Sequence, residues 1–105
     1  MDKERLIDKI IKYLAKYDEK PRPETISDGL EMVYSFLKGI RGVSSPYTVT
    51  IFFDGTIYLD EEPFYLSSIS ICDITISKEF FDECSEDGVF SREKFWEKIY
   101  NDMYM

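Results

Sequence analysis

The chain has 105 residues, 21 acidic against 13 basic side chains, a formal charge of -8, two cysteines and no histidine. That length supports one hydrophobic core and not two, and 44% apolar with 16% aromatic residues is enough burial to exclude intrinsic disorder. The acidic balance argues against direct binding of nucleic acid, which needs a basic face. The lack of histidine removes the commonest general base, the Ser-His and Cys-His nucleophile pairs and imidazole metal ligands.

Residues 2 to 17 read as an amphipathic helix, with Leu6, Ile10, Leu14 and Tyr17 on one stripe, Ile7 and Ile11 widening it, and Lys3, Lys9, Lys12 and Lys16 free to face water. Charges from the second residue onward make this neither a secretory signal nor a membrane span. With only Cys72 and Cys84, a disulfide framework is not expected either; the cysteines read as small buried hydrophobes in a cytoplasmic protein. The segment Lys20-Pro21-Arg22-Pro23 should end the helix, because proline cannot continue the hydrogen-bond ladder.

A second helix then starts at Pro23 or Glu24, carrying Ile26, Leu30, Val33, Tyr34 and Leu37 on its apolar face. Gly29 weakens its middle, and Gly39 stands where a C-terminal glycine cap belongs. The Gly39-Ile40-Arg41-Gly42 stretch follows a helix and lacks P-loop spacing, so it reads as a helix-ending turn.

After Gly42 the period falls to two. Tyr47 to Phe53 and Thr56 to Asp60 flank Asp54-Gly55, a strong hairpin signal. A third run lies within Phe64 to Ser77, where Ile69 and Ile71 have one parity and Ile74 and Ile76 the other; this predicts a bulge near Cys72-Asp73. Ser77 can cap a short helical turn and Ser91 a longer helix bearing Phe95, Trp96, Ile99, Tyr100 and Met103. The expected fold is a single α+β domain over residues 1–105: two N-terminal helices, a three-stranded antiparallel meander, and C-terminal helices packed on one face of the sheet.

Between the last two helices, Glu83 to Lys94 invites comparison with an EF-hand loop, with Asp87, Gly88 and Phe90 at fitting places. Lys94 stands where a bidentate glutamate must close such a site, so no metal site is assigned. No cofactor motif and no catalytic constellation is found, and the chain is read as a non-enzyme.

The remaining feature is charge placement. Asp54 to Asp87 holds ten carboxylates and one base, Lys78, whereas the first 42 residues balance eight acids against nine bases. The dense clusters are Asp60, Glu61 and Glu62 after the hairpin, and Glu79, Asp82, Glu83, Glu86 and Asp87 after the third strand. Turns and helix starts lie at the surface, where clustered carboxylates steer association with a basic partner. Tyr58 and Tyr65 beside the first cluster are the candidate aromatic anchors, while Phe80, Phe81 and Phe90 beside the second fit a core.

In size, acidity and lack of catalytic residues the chain resembles small inhibitors of nucleic-acid-binding partners, namely immunity proteins that neutralise nuclease toxins and phage anti-CRISPR proteins. The resemblance, one of composition, implies a non-catalytic protein that occupies a basic active site or nucleic-acid channel through Asp60, Glu61, Glu62, Glu79, Asp82, Glu83, Glu86, Asp87, Tyr58 and Tyr65. It also implies no direct contact with nucleic acid or membrane, in a monomer or homodimer. The alternative is a housekeeping or regulatory interaction domain, monomeric or homodimeric, whose acids serve only solubility.

Overall fold

The computed structural model describes residues 1–40, 46–59 and 69–104, with Tyr58 and Leu59 described by backbone alone. Helix α1 spans Lys3–Ala15, opened by the Asp2 carboxylate accepting from the Glu4 N–H at 3.0 Å. It stops before the prolines: Asp18 takes φ 58°, and the N–H groups of Tyr17 and Glu19 both donate to the Leu14 carbonyl. Tyr17 therefore falls off the apolar stripe and is 53% exposed. Tyr13 is buried in its place, its hydroxyl donating to the Ser70 carbonyl at 3.1 Å.

Helix α2, Pro23–Gly39, starts on a proline whose missing N–H costs nothing in the first turn. Gly39 lies inside the helix, and Ile40 caps it at φ -102°, so the expected left-handed glycine cap is absent. Gly29 has a different role from the weakness expected of it. A Cβ there would stand 2.8 Å from the Gly55 nitrogen and 3.1 Å from the Phe53 carbonyl oxygen. Gly29 thus lets α2 lie backbone to backbone against the turn joining β1 (Tyr47–Phe52) to β2 (Ile57–Leu59).

That turn is the expected Asp-Gly hairpin, built as a three-residue loop. Phe52 and Thr56 close it at 3.0 Å, Asp54 accepts from the Thr56 N–H, and Gly55 takes φ 86°. β3, Ser70–Ile76, pairs antiparallel with β1 on the side away from β2, giving the order β2-β1-β3. The α+β class holds, but the meander does not: β1 is central. Among the described residues β1 pairs over six positions with β3 and over three with β2, so the longer ladder lies between the two longer strands.

The expected bulge sits one step earlier than the parity change suggested. Ile51 faces Cys72 while Phe52 faces Ser70, leaving Ile71 as the extra residue. Beyond it Cys72, Ile74 and Ile76 share a face with Val49 and Ile51, and all five are buried. Thr48, Thr50, Asp73 and Thr75 form the opposite, polar face.

A short helix α3, Lys78–Glu83, follows, capped by the Ser77 hydroxyl accepting from the Phe80 N–H. The next segment is not the helix-connecting loop that was expected. Asp87 and Gly88 take φ 53° and 79°, folding β4 (Ser85–Glu86) and β5 (Val89–Phe90) into a second hairpin. The EF-hand comparison fails with it. Phe90 anchors this hairpin among Tyr34, Phe80, Phe81 and Phe95, at ring separations of 5.4 to 6.1 Å. Helix α4, Arg92–Asp102, is capped by Ser91.

One core joins Leu6, Ile10 and Leu14 of α1, Ile26, Val33 and Leu37 of α2, the buried sheet face, and Phe95 and Ile99 of α4. Glu31 of α2 ties the helices outside it, pairing with Lys3 at 3.0 Å and Arg92 at 3.2 Å. Burial disfavours its charge, but the two cations prevail and hold Glu31 below the usual glutamate range.

Gly29→Ala should destabilise the fold by about 1 to 3 kcal/mol, because neither backbone can yield without opening the hairpin, read as a lower urea midpoint. Gly39→Ala, with nothing within 4 Å of its Cβ, should be neutral or stabilising. Because the folded value of Glu31 is depressed, its stabilisation is present above the unfolded carboxylate pKa and is lost as pH falls through the folded one. Comparing Glu31→Gln with the parent protein should therefore show a stability gap at about pH 6 that closes towards about pH 3.

Candidate functional site

The acids after β3 do not all meet. Glu79 and Glu83 of α3 project, with Phe80, onto an open groove of about 310 Å³ along the outer edge of β3. Asp73, Thr75 and Ser77, alternate residues of the strand and its extension, line one wall, and Lys98 and Asp102 of α4 the other. Sequence reasoning missed Asp102 and Lys98, and left Asp73 out of the site although it belongs to the acidic tract. The available signals were the period-two spacing of Asp73, Thr75 and Ser77 and the i,i+4 spacing of Lys98 and Asp102.

The groove is anionic and partly fixed. Asp73 accepts from the Thr50 hydroxyl at 2.7 Å and from the Tyr104 hydroxyl, so both of its carboxylate oxygens are oriented. Lys98 lies 3.4 Å from Asp102 and 3.6 Å from Glu83. Burial opposes its charge, yet Asp102 and then Glu83 raise its pKa above the ordinary lysine value. One ammonium among Asp73, Glu79, Glu83 and Asp102 leaves a net negative surface. Glu79, in the first turn of α3, also accepts from Ser77 at 3.4 Å.

Three predicted residues lie elsewhere or stand apart. Asp82 and Asp87 are exposed but do not line the groove. Glu86 borders a separate hollow with Tyr34, Ser91, Arg92, Glu93 and Trp96. Phe80 and Phe90 are buried and Phe81 half-buried, so these rings belong to the core as expected.

Asp60, Glu61, Glu62 and Tyr65 fall outside the described residues, and of Tyr58 the structure describes only the backbone, paired with Thr50. β2 and β3 both run antiparallel to β1, so they are parallel to each other, and Leu59 and Ile74 both sit opposite Val49. The chain therefore leaves β2 and β3 from the same end of the sheet, two strand spacings apart, roughly 10 Å. A meander would have sent the two ends in opposite directions.

Burial pushes the Cys72 thiol up to about 12, with Asp102 and Asp73 adding to it, and the Cys84 thiol up to about 11. Neither supplies a thiolate at neutral pH. Among the described residues no group of three or more Cys, Asp or Glu could hold a metal ion, and no helix is long and apolar enough to cross a membrane. Comparison with known protein families, curated proteins and solved structures gives no match.

A disulfide-exchange reagent added to the native protein at about pH 8 should leave both cysteines unmodified over minutes, with both titrating once denaturant unfolds the chain. Fast labelling of either thiol in the native state would contradict the burial seen here.

Proposed function

We propose that this chain is a non-catalytic binding protein of the immunity or anti-CRISPR type, which blocks a basic protein partner such as a nuclease toxin or a nucleic-acid-binding effector. The observation that carries the reading is the groove beside β3, where Asp73, Glu79, Glu83 and Asp102 bring carboxylates of β3, α3 and α4 together. An anionic surface of this kind raises the encounter rate with a cationic cleft and orients the complex. Asp73, held by two hydroxyl groups, loses little side-chain freedom on binding.

A second reading has its own observation. Met32 and Phe36, one turn apart on α2, are 60% and 42% exposed and, with Gly55 and Ile57, line an apolar hollow. This favours an interaction domain, monomeric or homodimeric, whose acids serve solubility.

The two readings separate on a partner captured from the native host at low salt. Glu79→Lys, Asp82→Lys and Glu83→Lys together should weaken that complex at least tenfold and flatten its salt dependence, with the far-ultraviolet circular dichroism unchanged. Met32→Lys with Phe36→Lys should leave it intact. Binding that survives the acidic reversal and is abolished by the α2 changes would transfer the function to the apolar surface. The homodimer reading fails if sedimentation shows a monomer at high protein concentration.

A further inference from the structure

The acids dominate the composition, yet one face of α1 has the opposite sign. Arg5, Lys9, Lys12 and Lys16 follow one another at spacings of four, three and four residues, which places them on a single helical face. At 1.5 Å per residue they cover about 16 Å. Arg5, Lys12 and Lys16 are exposed. None of the four forms an ion pair among the described residues, although Asp8 lies within one turn of Arg5 and Lys12; the pairs that exist use Lys3, Arg92 and Lys98.

Two of these cations are held by an aromatic ring instead of by a carboxylate. The Lys9 ammonium lies 3.9 Å from the centre of the Tyr100 ring and donates to the Tyr100 carbonyl, while the Arg5 guanidinium sits 5.3 Å from the same ring. A ring face orients a cation without neutralising its formal charge. Lys9 is thus engaged by Tyr100, while Arg5, Lys12 and Lys16 keep their charge at exposed positions along the stripe.

We infer that this face of α1 is a docking surface for a phosphate backbone, that of a single-stranded nucleic acid. A bilayer fits less well: the apolar residues of α1, Leu6, Ile7, Ile10, Tyr13 and Leu14, are buried in the core and cannot insert. Neighbouring cations rise by about 4.5 to 6 Å along the axis, the scale on which an extended strand repeats its charge. A flexible strand can follow the helix and turn away from the anionic side of the molecule, which a stiff duplex does poorly. The overall charge of -8 counted against nucleic acid when charge was treated as a single sum. With a Debye length of about 8 Å at physiological salt, a locally unpaired stripe decides the contact.

The probe is a fluorescently labelled 20-nucleotide oligothymidylate, titrated with the full chain between 20 and 150 mM salt. Binding in the micromolar range of non-specific contacts is expected at the low end. Arg5→Glu, Lys12→Glu and Lys16→Glu together should weaken it at least tenfold and reduce the logarithmic salt slope by about 2, at roughly 0.7 per phosphate contact. Lys9 is retained in this variant because it caps α4. Lys12→Gln with Lys16→Gln, at exposed positions, should give a severalfold loss and keeps the test decisive if the triple reversal does not fold. The inference is overturned if the parent protein does not bind at 20 mM salt, if the variants bind as tightly as the parent, or if vesicles containing phosphatidylserine bind while the oligonucleotide does not. The stripe and the β3 groove share no residue, so loss of oligonucleotide binding and loss of the inhibitory partner are read separately.

Discussion

Helix α2 and the β1–β2 turn meet through two glycines, and much of the architecture follows from that contact. A Cβ on Gly29 or on Gly55 would lie within 3 Å of the other backbone, so any side chain at either position would wedge the helix off the sheet. The approach works only because Gly55 also takes φ 86°, a conformation costly for other residues. With α2 held there, Ile26, Leu30 and Val33 reach the core beneath the sheet. The same seating leaves Met32 and Phe36 beside the turn and partly exposed.

The opposite side of the sheet is closed differently. β3 is an edge strand, and its bulge turns the Ile71 carbonyl to the Tyr104 N–H at 3.1 Å. The Tyr104 hydroxyl then reaches Asp73, two residues along the same strand. The end of the described chain thus satisfies an edge carbonyl and orients a carboxylate of the groove at once. An edge strand flanked by Asp73, Glu79 and Asp102 is also poorly suited to unplanned pairing with another strand, since inward and flanking charges oppose it. Part of the acidity therefore has a structural use of its own.

How much of this could be read from the chain depended on whether the signal was local. The amphipathic faces of α1 and α2, the Ser77 and Ser91 caps and the Asp54-Gly55 hairpin follow from neighbours a few residues apart and are present, whereas α1 ends at Ala15, short of Tyr17, and the Gly39 cap is absent. The bulge was visible as a change of parity between Ile71 and Ile74, but its place depended on which residue of β1 lay opposite. Strand order was not visible at all, because pairing β3 with β1 or with β2 satisfies the same alternation. The role of Gly29 was hidden for the same reason, since its partner lies 26 residues away along the chain. The β4–β5 hairpin was missed because two-residue strands are too short to show a period, although Asp87-Gly88 is a dipeptide that suits a turn.

Strand order also changes what the charge means. Treated as a segment, Asp54 to Asp87 is simply acidic, and solubility is a sufficient account of it. With β3 at the edge of the sheet, part of the segment has a place: the groove between β3, α3 and α4 carries carboxylates from three elements. The bases are sorted as well, since Lys98 sits within the groove while Arg5, Lys12 and Lys16 on α1 form no ion pair among the described residues. A protein that needed charge only to stay in solution could intermingle the two signs over its surface. Here the groove and the stripe are separately signed, and separation of sign, more than its sum, sets the local potential each surface presents.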